Sequence, residues 1–236
     1  MTTSPSAPPA APPAARLIGH WLAGLERAGI PEEAAAVGRG CIIDTLGVAL
    51  AGAGADAARM AREEALDIYA TGPCTLLGGG RRCAEGAAFA NTAAAHALDF
   101  DDNCYAGFVH GSAVVVPTAL AAVEAVGGTG ADLLTAVVAG AEAEYALAIA
   151  LGNGVYEAGW WTTALFGAVG AAAAAAKAFR LDGDRAADAI AFALCGAGGL
   201  RACFGTSAKP LLAAGGRWHI WGVLSPGGVQ SHQDHI

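Results

Sequence analysis

Residues 158–176 carry no charged side chain and consist mostly of alanine, glycine and threonine. A run of that length can span a bilayer. This one lacks the large aliphatic side chains that drive insertion, so it reads as a helix buried inside a soluble fold. Alanine is the strongest helix former and the smallest side chain that still covers a helix. A helix surfaced with it lets its neighbours approach closely. The chain around it is therefore expected to be all-α, an Ala/Gly-rich helical bundle.

The flanking sequence carries matching signals. Residues 16–28 place apolar side chains at 17, 18, 21, 22 and 25, the spacing of an amphipathic helix. Pro31, followed by Glu32 and Glu33, opens a second helix, predicted to reach about residue 51. Further helices are predicted over 55–69, 84–98, 113–126, 163–179 and 184–197, the last capped by Asp182 or Asp184. Thr129 to Asp132 reads as a capping box for a helix ending at Leu151. Residues 74–82, with glycine at 78, 79 and 80, read as a small hairpin or turn. No stretch alternates long enough to predict a larger sheet.

Only 14% of the chain is charged, against about a quarter in ordinary domains. Yet residues 91–112 (NTAAAHALDFDDNCYAGFVHGS) place Asp99, Asp101 and Asp102 within four positions, with Asn103, Tyr105 and His110 following. Carboxylate and imidazole together are the groups that move protons at carbon or oxygen. The Ala106-Gly107 link is expected to fold back and bring His110 towards Asp99. Asp99 and Asn103 would share a face if the helix continued that far. Asp101 and Asp102 would point elsewhere, one of the acids capping the next segment. His96, three residues before Asp99, is placed to orient it or to take part directly.

Several function classes are disfavoured. Thirteen basic against 21 acidic residues give a net charge of −8, which argues against nucleic acid and anionic membrane as partners. Six cysteines form no CxxC pair and read as reduced, buried thiols of a cytoplasmic protein. Gly78–Gly80 lacks the Lys-Ser/Thr of a phosphate loop. Residues 1–15, rich in proline and alanine, read as a disordered tail and not as a signal peptide.

The pattern NxxxAHxLDFDD, followed by His-x-Ser and an apolar helix, resembles the MmgE/PrpD family. DTLGVALAG (44–52), the Thr-Gly-x-Asp helix start, GWWTTALFGAVGAAAAAAKAFRLD (159–182) and the Ser207-Ala208-Lys209 tripeptide agree with it in the same order. The resemblance covers roughly 16–212 and implies the family's large helical domain. It implies a cofactor-independent, metal-free lyase or isomerase, working as a homodimer on a small polycarboxylate. The reaction implied is dehydration of the 2-methylcitrate type, with decarboxylation, epimerisation or an inactive fragment as alternatives. It implies His110 as acid/base, Asp99 as its partner or second base, Lys209 as carboxylate anchor, and Asn103, Tyr105 and His96 as substrate contacts. Many family members resemble Gly-Trp/Phe-His where this chain has Trp160-Trp161, so Trp161 removes a potential cation from the substrate contacts. The family's α/β lid domain is not matched here. Residues 213–236 read as an atypical tail, truncated or frame-shifted.

Overall fold

A computed structural model describes residues 12–151 and 153–215. It bears out the all-α expectation. In chain order the helices are α1 (Ala14–Gly24), α2 (Glu32–Gly52), α3 (Asp56–Ile68), α4 (Ala84–His96), α5 (Gly111–Ala125), α6 (Gly130–Leu151), α7 (Gly154–Glu157), α8 (Thr162–Ala178), α9 (Gly183–Gly196) and α10 (Ala208–Gly215). The one ribbon among the described residues pairs β1 (Cys74–Thr75) antiparallel with β2 (Arg81–Arg82), at the predicted hairpin.

The uncharged run becomes the centre of the core. Ala171 to Ala176 of α8 are each at most 1% exposed. Around α8 pack α6, α5 and α9. A Cβ added at Gly140 of α6 would lie 2.7 Å from the Gly170 carbonyl oxygen of α8, so the two backbones meet at a distance only glycine permits. Helix α5 carries the second layer: α4 packs against it and in turn meets α2, α3 and α10. Pro117 sits inside α5 without ending it. The helix is buried along almost its whole length, and that packing offsets the lost backbone bond. Two helices, α2 and α6, are long and apolar enough to cross a membrane by length and composition, and half of the apolar window in α6 is buried in the fold.

Both predicted caps form. Asp182 accepts the Arg185 backbone N–H at 2.9 Å at the start of α9. Asp132 accepts from Thr129 N at 2.8 Å, and Thr129 Oγ1 accepts from Asp132 N at 3.3 Å, ahead of α6. The first helix is shorter than its apolar spacing suggests. It stops at Gly24, and Arg27–Gly29 form a separate 3-10 turn. Helix α4 also ends early, at His96, two residues before the predicted 98. Helix α10 runs through 212 to 215. The rest of the expected C-terminal tail, like residues 1–11 of the N-terminal one, lies outside the described residues.

Candidate active site

Asp99 has φ +56°. Helix α4 has already ended at His96, and the left-handed residue three positions on redirects the chain through the 97–110 loop. Aspartate tolerates the conformation better than most side chains. Phe108, at the far end of the loop, has φ +51°, an uncommon conformation for a bulky residue that surrounding contacts must enforce. Those contacts come from α8: the Thr162 hydroxyl donates to the Phe108 carbonyl, and Thr163 Oγ1 accepts the His110 backbone N–H at 3.0 Å. Within the loop, Cys104 N donates to Val109 O at 2.8 Å and Val109 N returns the bond at 3.3 Å. At the entry to α5, Asp102 accepts from both the Ser112 N–H, at 3.2 Å, and the Ser112 hydroxyl. Asp102 is thus the cap that the sequence assigned to one of the three acids.

Asp101 lies between two imidazoles. Its side chain is fully buried, and Oδ2 is 2.7 Å from His96 Nδ1 and 3.2 Å from His110 Nδ1. The first contact is a hydrogen bond; the second is an ion-pair distance off the hydrogen-bond direction. Burial pushes the Asp101 carboxyl up, but the contacts with His110 and then His96 outweigh it and hold the group at about 2. An ionised carboxylate only accepts, so the His96 Nδ1 that meets it is the donor of that hydrogen bond. Burial lowers the His110 pKa, yet the contact with Asp101 more than compensates, and the imidazole sits above its ordinary 6.5. The two rings stand edge to face at 5.2 Å, and the indole of Trp161 stacks on His96 at 5.5 Å.

His110 faces a cavity of about 260 Å³ shared with Asp99, Asn103, Phe108, Tyr156, Trp161, Phe204 and Lys209. Helix α10 brings Lys209 in from the far end of the chain. Its ammonium rests 2.5 Å from Asp99 Oδ1 and 5.3 Å from the centre of the Phe204 ring. A second cavity, of about 250 Å³, shares Asp99 and Lys209 with the first and reaches His96, Thr206 and Ser207. The His110 imidazole, the Asp99 carboxylate and the Lys209 ammonium therefore converge on one cleft.

Residues 16–223 match the MmgE/PrpD N-terminal domain, which is most of the chain. The chain belongs to the MmgE/PrpD family. It is also similar to a cis-aconitate decarboxylase-like protein, oryM, of Aspergillus oryzae, at 28% identity over 192 residues. That alignment covers 78% of this chain and 40% of the relative. The chain thus spans less than half the length of the relative it matches.

Within this MmgE/PrpD domain, the structure rearranges the roles that the sequence suggested. Asp101, expected to point away, is the carboxylate beside His110; Asp99 pairs with Lys209 instead. The reason is the early end of α4, which turns the helical register off before Asp99. Asp99 and Asn103 therefore do not share a helix face, although both line the cavity. His96 meets Asp101 at hydrogen-bond distance and Asp99 only at 3.9 Å. Tyr105 is 78% exposed at the loop tip and lies outside the lining of the cavity. Trp161 is buried beneath the cavity and forms its base. Phe108, Tyr156 and Phe204 line the cavity but were missed from sequence, because scattered aromatics carry no spacing signal.

One ligand atom from each of His96, Asp99, Asp101 and His110 falls within 4.8 Å of the others, close enough for a divalent cation. Asp101 already faces two imidazoles and Asp99 already faces an ammonium, so both negative charges are matched by this chain's own groups. A larger cavity of about 360 Å³ lies between α1, α6 and α8. Its Lys177 ammonium donates to the Leu22 carbonyl at 3.0 Å, and no histidine is among the described residues that line it.

Proposed function

We propose that this cleft performs lyase chemistry on a small carboxylic acid, by proton transfer at the carbon next to a carboxylate. The observation that carries the reading is His110, with Asp101 behind it, lining the same cavity as the Asp99–Lys209 pair. Lys209 supplies a point charge for the substrate carboxylate. His110, its pKa raised by the contact with Asp101, holds its proton more firmly than a free imidazole and can hand it to the substrate.

A proton donor at His110 suits decarboxylation. The electrons of the breaking C–C bond move to the substrate carbon as CO₂ leaves, and His110 delivers its proton to the carbanion or its allylic carbon. Lys209 and the imidazolium stabilise the developing negative charge. The name of the Aspergillus relative supports the same bond cleavage. Dehydration of the 2-methylcitrate type is the second reading, favoured by the presence of Asp99 in the same cavity. There the Asp99 carboxylate takes the proton from carbon, the C–H electrons form the double bond, and His110 protonates the departing hydroxide to water.

The test is to incubate the protein separately with cis-aconitate and with 2-methylcitrate and to follow products by NMR. Release of CO₂ supports the first reading, and an unsaturated product of unchanged carbon count supports the second. His110→Ala is expected to lose about 10²-fold or more of the turnover, with its circular dichroism spectrum intact. Absence of product from both substrates, or undiminished turnover in His110→Ala, overturns the proposal.

A further inference from the structure

Four aromatic rings enclose the cavity that His110 and Lys209 share. Phe108 stacks on Tyr156 with ring centres 4.9 Å apart, and the Arg201 guanidinium lies 4.2 Å from the same tyrosine ring. Phe204 meets Trp161 edge to face at 6.0 Å. The rings therefore hold one another in place and form a wall that does not have to be ordered when a ligand arrives. Phe204 is 40% exposed, so apolar surface is available at the mouth.

The charges are few by comparison. Among the described residues lining the cavity, the cationic groups are Lys209 and His110, and each already faces a carboxylate: Asp99 for the lysine, Asp101 for the histidine. One substrate carboxylate seated at Lys209 is matched. A further one pressed against the wall would meet the negative faces of aromatic rings and lose its hydration without a partner. A hydrocarbon group in the same place loses nothing and gains about 25 cal/mol for each Å² removed from water.

We infer that the cleft selects carboxylic acids bearing a hydrocarbon substituent, alkyl or aryl, with a carboxylate at Lys209 and the substituent against Phe108, Tyr156 and Phe204. Trp161 sets the base of that subsite: an indole in this position adds apolar surface where an imidazole would add a cation. The inference rests on the reading of the cleft as a carboxylic-acid site, and it concerns binding, so it stands or falls independently of turnover.

The experiment is calorimetric titration of the protein with succinate, benzylsuccinate and citrate. Benzylsuccinate is expected to bind at least about tenfold more tightly than succinate, and citrate no more tightly than succinate. Phe204→Ala is expected to bring the benzylsuccinate-to-succinate ratio close to one, and Tyr156→Ala to reduce it. Equal affinity for the two dicarboxylates, tightest binding of citrate, or a benzyl gain that persists in both variants overturns the inference. Preferential benzylsuccinate binding by a protein that turns over neither cis-aconitate nor 2-methylcitrate upholds the subsite and removes only the catalytic proposal. Absence of binding by all three acids overturns the inference, and turnover of cis-aconitate or 2-methylcitrate then decides the catalytic proposal separately.

Discussion

The Lys209 ammonium lies 2.5 Å from an Asp99 carboxylate oxygen, across 110 positions of chain. Asp99 lies three residues past the end of α4 and Lys209 in the first turn of α10, and the two helices pack against each other. The lysine side chain is only 13% exposed while Asp99 is mostly open. The charge is therefore held at the cleft mouth with a partner that an incoming carboxylate can displace or share.

Lys209→Met removes that point charge. Succinate affinity is expected to fall about tenfold or more, since a charge-assisted contact is lost. Thermal stability should change little, because Asp99 remains largely in water. Calorimetry and a melting curve on the same sample separate the two effects; unchanged succinate affinity removes Lys209 from the site.

Asp101→Asn takes away the group that raises the His110 pKa. Burial then dominates, and the His110 pKa should drop below its wild-type value, read by NMR titration of the ring protons. Stability should follow. Asp101 is held at about 2 against an ordinary 3.8, so its contribution is present above pH 3.8 and lost as pH falls towards 2. His110 is raised, so its contribution is complete below pH 6.5 and lost as pH rises through its folded value. Both slopes should flatten in the variant. An unmoved His110 titration would show that Asp101 does not govern it.

Trp161→Ala deletes the largest fully buried side chain among the described residues. The cost is expected to be about 3–5 kcal/mol in urea denaturation. His96 loses its stacked neighbour, and its ring resonances should shift with the fold still present. A loss below about 1 kcal/mol would mean that neighbouring groups collapse into the space.

Gly140→Val drives two methyl groups into the α6–α8 crossing, where even a Cβ is too close to the Gly170 carbonyl. A destabilisation of about 1–3 kcal/mol is expected, whereas the same change at Gly47, with open space around it, should stay within the modest effect of helix propensity. Equal effects at the two sites would show that packing at the crossing is not what selects glycine.

The helical class, most helix boundaries, both caps and the small hairpin could be read from the chain because each depends on residues close in sequence. Apolar spacing reports a buried face, proline and acidic residues mark a start, and Thr129 and Asp132 satisfy each other three positions apart. The uncharged alanine run could be recognised as the core for the same reason: nothing in it has to find a charged partner. The cluster around His110 was also visible as a local excess of acids in a chain with little charge. What the sequence could not assign was which acid serves which partner. Helix α4 ends at His96 and the chain then turns through the left-handed Asp99, so helical spacing arguments fail from the end of α4 on. Threonines on α8 then fix Phe108 and His110, α10 delivers Lys209 to Asp99, and Asp101 is left beside both histidines. Those pairings join groups as much as 110 positions apart. They are set by how four helix ends meet, and only the tertiary packing decides that.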